Sequence, residues 1–226
     1  MGVNFKTFIR TKDMKSKDYW EKYEEIDILK ISAKFYKLNT IKIIESFNPK
    51  VILDYGSGSG EIALQLKNEK NNIICYEPIP HMFNKLKSNL CEDFFLINDL
   101  KNINRKIDMV IINSVLQYVE KKQFEDDLKE IKSKVLIISD IIPYDYSRWF
   151  DLYHLLKFSL KNKFLTLYCI HVYKQIFTNF SFHYNPKYTK YSKDEIVFIL
   201  NKLGYQVKFV DNLGINFRRF SLIAYK

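Results

Sequence analysis

Cysteine is scarce and unpaired: Cys75, Cys91 and Cys169 are the three in a chain of 226 residues. The odd number, the wide spacing and the lack of any CxxC pair or zinc-spaced histidines exclude a disulfide scaffold and point away from a metal site. A reduced, metal-free, cytoplasmic protein is the expectation. Long apolar runs are missing too, because the longest uncharged one, 164–173, is bounded by Lys163 and Lys174, well short of the ~20 residues of a helical span. The first residues contain no apolar block followed by a cleavage site, and Lys6 stands where a myristoylation signal has Ser or Thr, so neither export nor a lipid anchor is expected. Arginine is rare, at five of 36 basic residues. The net charge of +10 therefore rests on lysine spread along the whole chain, whereas nucleic-acid sites lean on the bidentate guanidinium. Nucleic acid is not the expected partner, although RNA stays open as the alternative.

What is present is a large apolar and aromatic content, 47% and 16%, which excludes a disordered chain and supplies one core. A single domain over 1–226 is expected. Apolar residues recur at helical spacing over 19–47 (Trp20, Tyr23, Ile26, then Ile31, Phe35, Leu38, Ile41, Ile44), so two helices form an N-terminal cap over 1–49. Short continuous apolar runs follow at 51–54, 73–76, 94–97, 109–112 and 135–139. Continuous runs mark strands covered on both faces, hence a parallel α/β sheet in the segment 50–143. The rhythm breaks at 144–191, where 15 aromatic and seven basic residues meet two acids and no glycine. This is read as a helical insertion, a mobile lid over the sheet. In 192–226 the capping box S-K-D-E opens a helix that Gly204 stops, and two further strands follow. Their connection is too short for a parallel crossover, so they pair antiparallel.

The strongest local signal is V-I-L-D-Y-G-S-G-S-G-E at 51–61: a strand running into Gly56, Gly58 and Gly60 and then a helix. Glycines there permit a sharp turn and expose backbone N–H groups to an anionic or electron-rich ligand. The spacing GxGxG lacks the third glycine position of dinucleotide sites, so a dinucleotide is the weaker candidate. The next strand ends in Glu77, 23 residues after Asp54, where a carboxylate accepts both hydroxyls of a ribose. A third strand ends at Asn98 and Asp99, with Leu100 placed to pack an adenine ring. An adenosine-containing ligand is the inference.

With these residues in view, the chain resembles the class I S-adenosylmethionine-dependent methyltransferases over roughly 19–143 and 188–226, through LDYGSGSGE, CYEP, INDL and DMVIINSVLQYV. The resemblance implies a doubly wound, Rossmann-like, mostly parallel sheet of seven strands ordered 3-2-1-4-5-7-6, with strand 7 antiparallel. It implies S-adenosyl-L-methionine as cofactor and S-adenosyl-L-homocysteine as product. Asp54 and Gly56 then lie near the methionine end and Glu77 on the ribose, with Ser57, Gly58, Gly60 and Pro78 also binding the cofactor. Ile79, Met82, Asn98, Asp99 and Leu100 surround the adenine, and Asn113, Ser114 and Val115 line the methyl side.

Nucleic-acid methylating members carry [DNS]PP[YF] or a Pro-Cys pair after strand 4, and here the position reads N-S-V-L-Q-Y. The segment resembles the small-molecule branch, with Gln117 where that branch often has a histidine. Gln117, Tyr118 and Arg148 are expected to touch the acceptor. Asp140 at the end of strand 5, or His154 or His183 from the insertion, is the candidate base, and His171 shares the insertion. Aromatic residues and the insertion's net charge of +5 favour a small hydroxylated or phosphorylated acceptor such as a sugar or glycan precursor, O-methylated. A helical hairpin whose aromatics are merely its own core is the competing reading.

Overall fold

The computed structural model describes residues 28–177, 188–216 and 218–226. The predicted helix around Trp20, the segment holding His183, and the side chains of Arg148 and His171 fall outside the described residues. Seven strands form one sheet in the order β3-β2-β1-β4-β5-β7-β6. They are β1 Val51–Tyr55, β2 Asn72–Tyr76, β3 Phe95–Ile97, β4 Met109–Asn113, β5 Val135–Ile141, β6 Gln206–Val210 and β7 Phe220–Tyr225. The first five run parallel, and β7 lies antiparallel between β5 and β6.

The continuous apolar runs are buried on both sides because alternate residues of each strand face opposite layers. Leu53, Ile74, Val110, Ile112, Leu136 and Ile138 pack with Phe124, Leu128, Ile196 and Leu200, while Ile52, Ile73, Cys75, Met109, Ile111 and Ile137 pack with Tyr36, Ile44, Ala63, Leu66 and Leu86. The first layer comes from α4 (Lys121–Ile131) and α7 (Lys193–Lys202), the second from α1 (Ile28–Phe47), α2 (Glu61–Leu66) and α3 (Pro80–Asn89). The expected capping box opens α7: Ser192 Oγ accepts from Glu195 N at 3.1 Å and Glu195 Oε2 accepts from Ser192 N at 2.9 Å.

The insertion folds as a hairpin of α5 (Arg148–Lys161) and α6 (Leu165–Phe177). Its inner aromatics are partly its own core, as the competing reading had it: Phe158 stacks edge-on with Phe164 at 5.6 Å and with Phe35 of α1 at 4.7 Å. Helix α1 in turn donates Asn39 Nδ2 to the carbonyl of Leu213, in the β6–β7 connection, at 3.0 Å.

One polar network lies inside the first layer. Tyr55, at the end of β1, donates its hydroxyl to Asp127 of α4, whose other oxygen accepts from Gln123 Nε2 at 2.6 Å. Burial pushes the Asp127 carboxyl up to about 6, against the Tyr55 and Gln123 hydrogen bonds. Replacing Tyr55 with Phe is expected to destabilise the fold by about 1–3 kcal/mol, the cost of stranding a buried acceptor. The loss should be largest above about pH 6, where Asp127 is charged, and smaller once it is protonated. Urea titrations of both proteins on either side of that pH measure it, and an equal loss on both sides would place the effect elsewhere.

Candidate active site

The turn after β1 closes on the end of β2. Gly56 N and Ser57 N donate to the Tyr76 carbonyl at 2.8 and 3.0 Å, and Ser57 Oγ donates to the Asp54 carbonyl at 2.8 Å. All three glycines have left-handed φ, +76°, +56° and +88°, but their surroundings differ. A Cβ on Gly56 would meet Val115 at 2.7 Å and one on Gly60 would meet Leu90 at 2.9 Å, whereas on Gly58 the nearest atom is the Met82 methyl at 3.7 Å. Gly56 and Gly60 are needed by the packing. At Gly58 a Cβ would make only an ordinary van der Waals contact.

Glu77 ties this turn to the start of α3. Its two oxygens accept from Gly58 N at 2.9 Å and Ile79 N at 3.0 Å, so each oxygen retains acceptor capacity for another donor. The side chain is 5% exposed, and burial pushes its carboxyl up to about 7 although both backbone bonds pull it down. Asp54, 3% exposed, is likewise pushed up to about 7, by burial first, with Ser57 opposing and Glu77 adding its repulsion. Asp54 Oδ2 is buried and has no hydrogen-bond partner. Pro78 and Ile79 are half-buried and Met82 is buried on this side. At the end of β3, Asn98 and Asp99 are exposed and Leu100 is buried. Asp99 Oδ1 caps the following turn, accepting from Lys101 N at 3.0 Å.

The ends of β4 and β5 carry paired backbone irregularities. Ser114 and Asp140 both have positive φ, +57° and +63°, and the β5–β7 register shifts between Ile138 and Ile141. A bulge of this kind re-aims a side chain. Here it brings Asp140 Oδ2 to Ser114 Oγ–H at 2.6 Å and to Arg219 Nη1 at 2.6 Å, with Asn212 Nδ2 on Oδ1 at 3.4 Å. The other guanidinium nitrogen of Arg219 donates to Asp151 of α5 at 2.8 Å. Next to it, Asn113 Oδ1 accepts from Ser139 Oγ at 2.8 Å, and the Tyr36 hydroxyl of α1 is buried with no hydrogen-bond partner.

A row of tyrosines completes the rim. Tyr118 meets Tyr188 edge-on at 5.9 Å, Tyr188 meets Tyr146 at 6.0 Å, and Arg219 lies over the Tyr146 ring at 5.4 Å. Gln117 is buried with Oε1 unpartnered, and its carbonyl accepts from Thr189 N at 2.9 Å. The sequence reading missed Arg219, Asp151, Asn212 and Tyr36, whose placement comes from long-range packing. Tyr146 and Tyr188 are the two it missed despite a signal, since both stand in the aromatic-rich insertion beside the expected site.

The sequence profile of a family described as a methyltransferase domain matches residues 53–136, the stretch that carries the glycine turn, Glu77, Asp99 and the end of β4. That stretch is similar to the methyltransferase-domain family, and the seven-stranded sheet has the order of the class I methyltransferase fold. Solved structures share the methyltransferase fold at low identity. Magnesium protoporphyrin IX methyltransferase from Synechocystis PCC 6803, with bound SAM, has 13% identity and a TM-score of 0.58 over 94% of this chain and 92% of that one. A putative O-methyltransferase from Nostoc punctiforme PCC 73102 has 14% identity and a TM-score of 0.58 over 87% of this chain and 56% of that one. A SAM dependent methyltransferase from Archaeoglobus fulgidus has 18% identity and a TM-score of 0.55 over 86% and 95%. Identities this low speak to the fold alone. No curated protein matches the chain.

The residues of this methyltransferase fit its cofactor. A cradle a Cβ would fill at Gly58, spare acceptor capacity on Glu77 and an orphaned buried oxygen on Asp54 are three features the fold alone does not require. The glycines separate packing from ligand contact. Gly58→Ala should cost about 1 kcal/mol in stability, the strain of a left-handed residue, yet weaken S-adenosylhomocysteine about tenfold or more. Gly56→Ala adds the overlap with Val115 and should cost about 2–4 kcal/mol. Thermal melts and calorimetry on the two variants distinguish them, and a Gly58→Ala protein with unchanged affinity would remove that backbone from the site.

Proposed function

We propose that this methyltransferase O-methylates a small hydroxylated, ring-bearing acceptor, such as a sugar or a glycan precursor, held against Tyr118, Tyr146 and Tyr188. The tyrosine row beyond β4 and β5 is the observation that carries this reading, since ligands of such sheets bind beyond the carboxyl ends of the strands and rings stack on aromatic faces. The buried cation of this rim, Arg219, already serves two carboxylates, so a neutral hydroxylated ring fits better than a phosphate. In this reading Asp54 and Gly58 hold the methionine end and Glu77 the ribose. Ile79, Met82 and Leu100 enclose the adenine, Asp99 takes its amino group, and Asn113, Ser114 and Val115 line the methyl side.

When bound, the sulfonium supplies the methyl group. The protein's part would be to orient the acceptor hydroxyl, exclude water and take up the hydroxyl proton at a base. Asp140 is poorly placed for that role, because Ser114, Asn212 and Arg219 already occupy its oxygens. It is assigned instead to orienting Ser114. His154 stands one turn after Asp151 on α5, and burial, Arg218 and Lys157 together push its imidazole below the usual range. The neutral form at pH 7 accepts a proton, so His154 is assigned as the base. Gln117 and Tyr118 contact the acceptor.

His154→Gln should lower kcat by about 10²–10⁴-fold, the range for a lost general base, with cofactor affinity kept. Transfer of labelled methyl groups to fractionated hydroxylated metabolites supplies the assay. Incorporation into RNA and not into those fractions would replace the proposal with the RNA alternative.

A second outcome concerns pH. In the empty protein Glu77 has its proton affinity raised to about 7, and ribose hydroxyls donating to it favour the charged form, so binding expels a proton. Affinity for S-adenosylhomocysteine is therefore expected to fall as pH drops below about 7. The sign for stability is opposite: both raised carboxyls hold protons in the fold that the unfolded chain releases, so their contribution favours the empty protein below about pH 7 and is lost above it. Calorimetry in buffers of different ionisation enthalpy reads the proton release. A pH-independent affinity would dissociate Glu77 from the ribose.

A further inference from the structure

Among the described residues the α5–α6 hairpin packs one side against the fold and exposes large apolar side chains on the other. Inward, Asp151 reaches Arg219, and Leu155, Phe158, Phe164 and Leu167 pack with Ile31 and Phe35 of α1. Outward, Tyr153, Lys157 and Leu160 follow one another along α5 at steps of four and three residues with Lys161 beside Leu160, all exposed, and Leu165, Ile170 and Tyr173 are exposed along α6. Tyr153 is 47% exposed, Leu160 55%, Ile170 45% and Tyr173 59%. Large apolar side chains grouped this way in a soluble fold mark a contact surface.

The charge of this face has one sign. Lys157, Lys161 and Lys163 are exposed among the apolar residues, and α6 contains no acidic residue. The one acid of α5 is Asp151, which is turned inward onto Arg219. We infer that the outer face of this hairpin docks on an anionic lipid bilayer, with Leu160, Leu165, Ile170 and the tyrosines in the headgroup boundary and the three lysines on lipid phosphates. Paired apolar and basic positions of this kind describe a helix lying in the interface plane. Among the described residues no helix is long and apolar enough to cross a membrane, so the contact is peripheral. A second copy of the chain is the poorer occupant, because two such faces would oppose lysine to lysine with no exposed acid among the described residues of either helix. A polyanion such as RNA would satisfy the lysines and leave Leu160 and Ile170 facing water. Docking sets the acceptor rim, which Asp151 joins from the same helix, beside the membrane plane.

The test is sedimentation of the full chain with vesicles of equal parts phosphatidylglycerol and phosphatidylcholine, against pure phosphatidylcholine, over a salt series. The wild type is expected to partition onto the anionic vesicles, to release with salt, and to leave the neutral ones largely unbound. Leu160→Ser with Ile170→Ser, and separately Lys157→Gln with Lys161→Gln and Lys163→Gln, should each weaken partitioning by about tenfold or more. S-adenosylhomocysteine affinity in both variants reports that they are folded. Three results would overturn the inference: no binding to anionic vesicles at low salt, sensitivity to the lysine set alone, as for a polyanion site, or a concentration-dependent dimer that Leu160→Ser with Ile170→Ser dissolves.

Discussion

A single guanidinium ties together three segments that are far apart in the chain. Arg219 enters from the start of β7 and donates one nitrogen to Asp140 of β5 and the other to Asp151 of α5, at 2.6 and 2.8 Å. Buried ion pairs are not strong sources of stability, because desolvation offsets most of the attraction. They are strong constraints, since losing one partner strands the others at a cost of about 3–5 kcal/mol. The planar fork of Arg fits two carboxylates at fixed angles, which a lysine does not. Through it the bulge in β5 is held, and through the bulge Asp140 meets Ser114 beyond β4. The hairpin therefore cannot shift at Asp151 without disturbing the edge of the sheet where methyl transfer is proposed.

The strands were legible because burial on both faces leaves a continuous apolar run, as at 51–54, 109–112 and 135–139. Strand 7 was legible for a different reason: a short connection permits only one pairing direction. The glycine turn, Glu77 and Leu100 could be found in sequence because each stands at a strand end that the apolar pattern had already located. Arg219 could not. Its partners lie 79 and 68 residues away, and an arginine opening a strand has no local mark. Ser114 and Asp140 show the same limit from the backbone side, since nothing in N-S-V-L or S-D-I-I announces a left-handed residue or a bulge. Tyr36 was not among the apolar positions that marked α1, and only the packing of that helix on the sheet buries it.

The three glycines looked equivalent in sequence. The packing separates them by what a methyl group would touch, and Gly58 alone has room. Asp99 moved the other way. Its position after β3 suited a contact to adenine, and its Oδ1 is engaged as the cap of the next turn. A carboxylate has two oxygens, and the cap fixes the direction of the second.

Two buried carboxylates, Asp54 and Glu77, stand on either side of the glycine turn with proton affinities raised to about 7. A fold selected for stability alone replaces such groups with apolar ones, since unpaired buried charge is costly. Their burial makes sense if the free energy is recovered on binding, when donors arrive to satisfy the spare acceptor positions of Glu77 and the orphaned oxygen of Asp54. The backbone N–H bonds from Gly58 and Ile79 hold the Glu77 carboxylate in place beforehand, so little side-chain entropy is left to lose. The same logic separates the two ends of the site. The carboxylates near the glycine turn have capacity to spare, as a ligand pocket requires, while Asp140 is held by the protein donors Ser114, Asn212 and Arg219, as a structural joint requires.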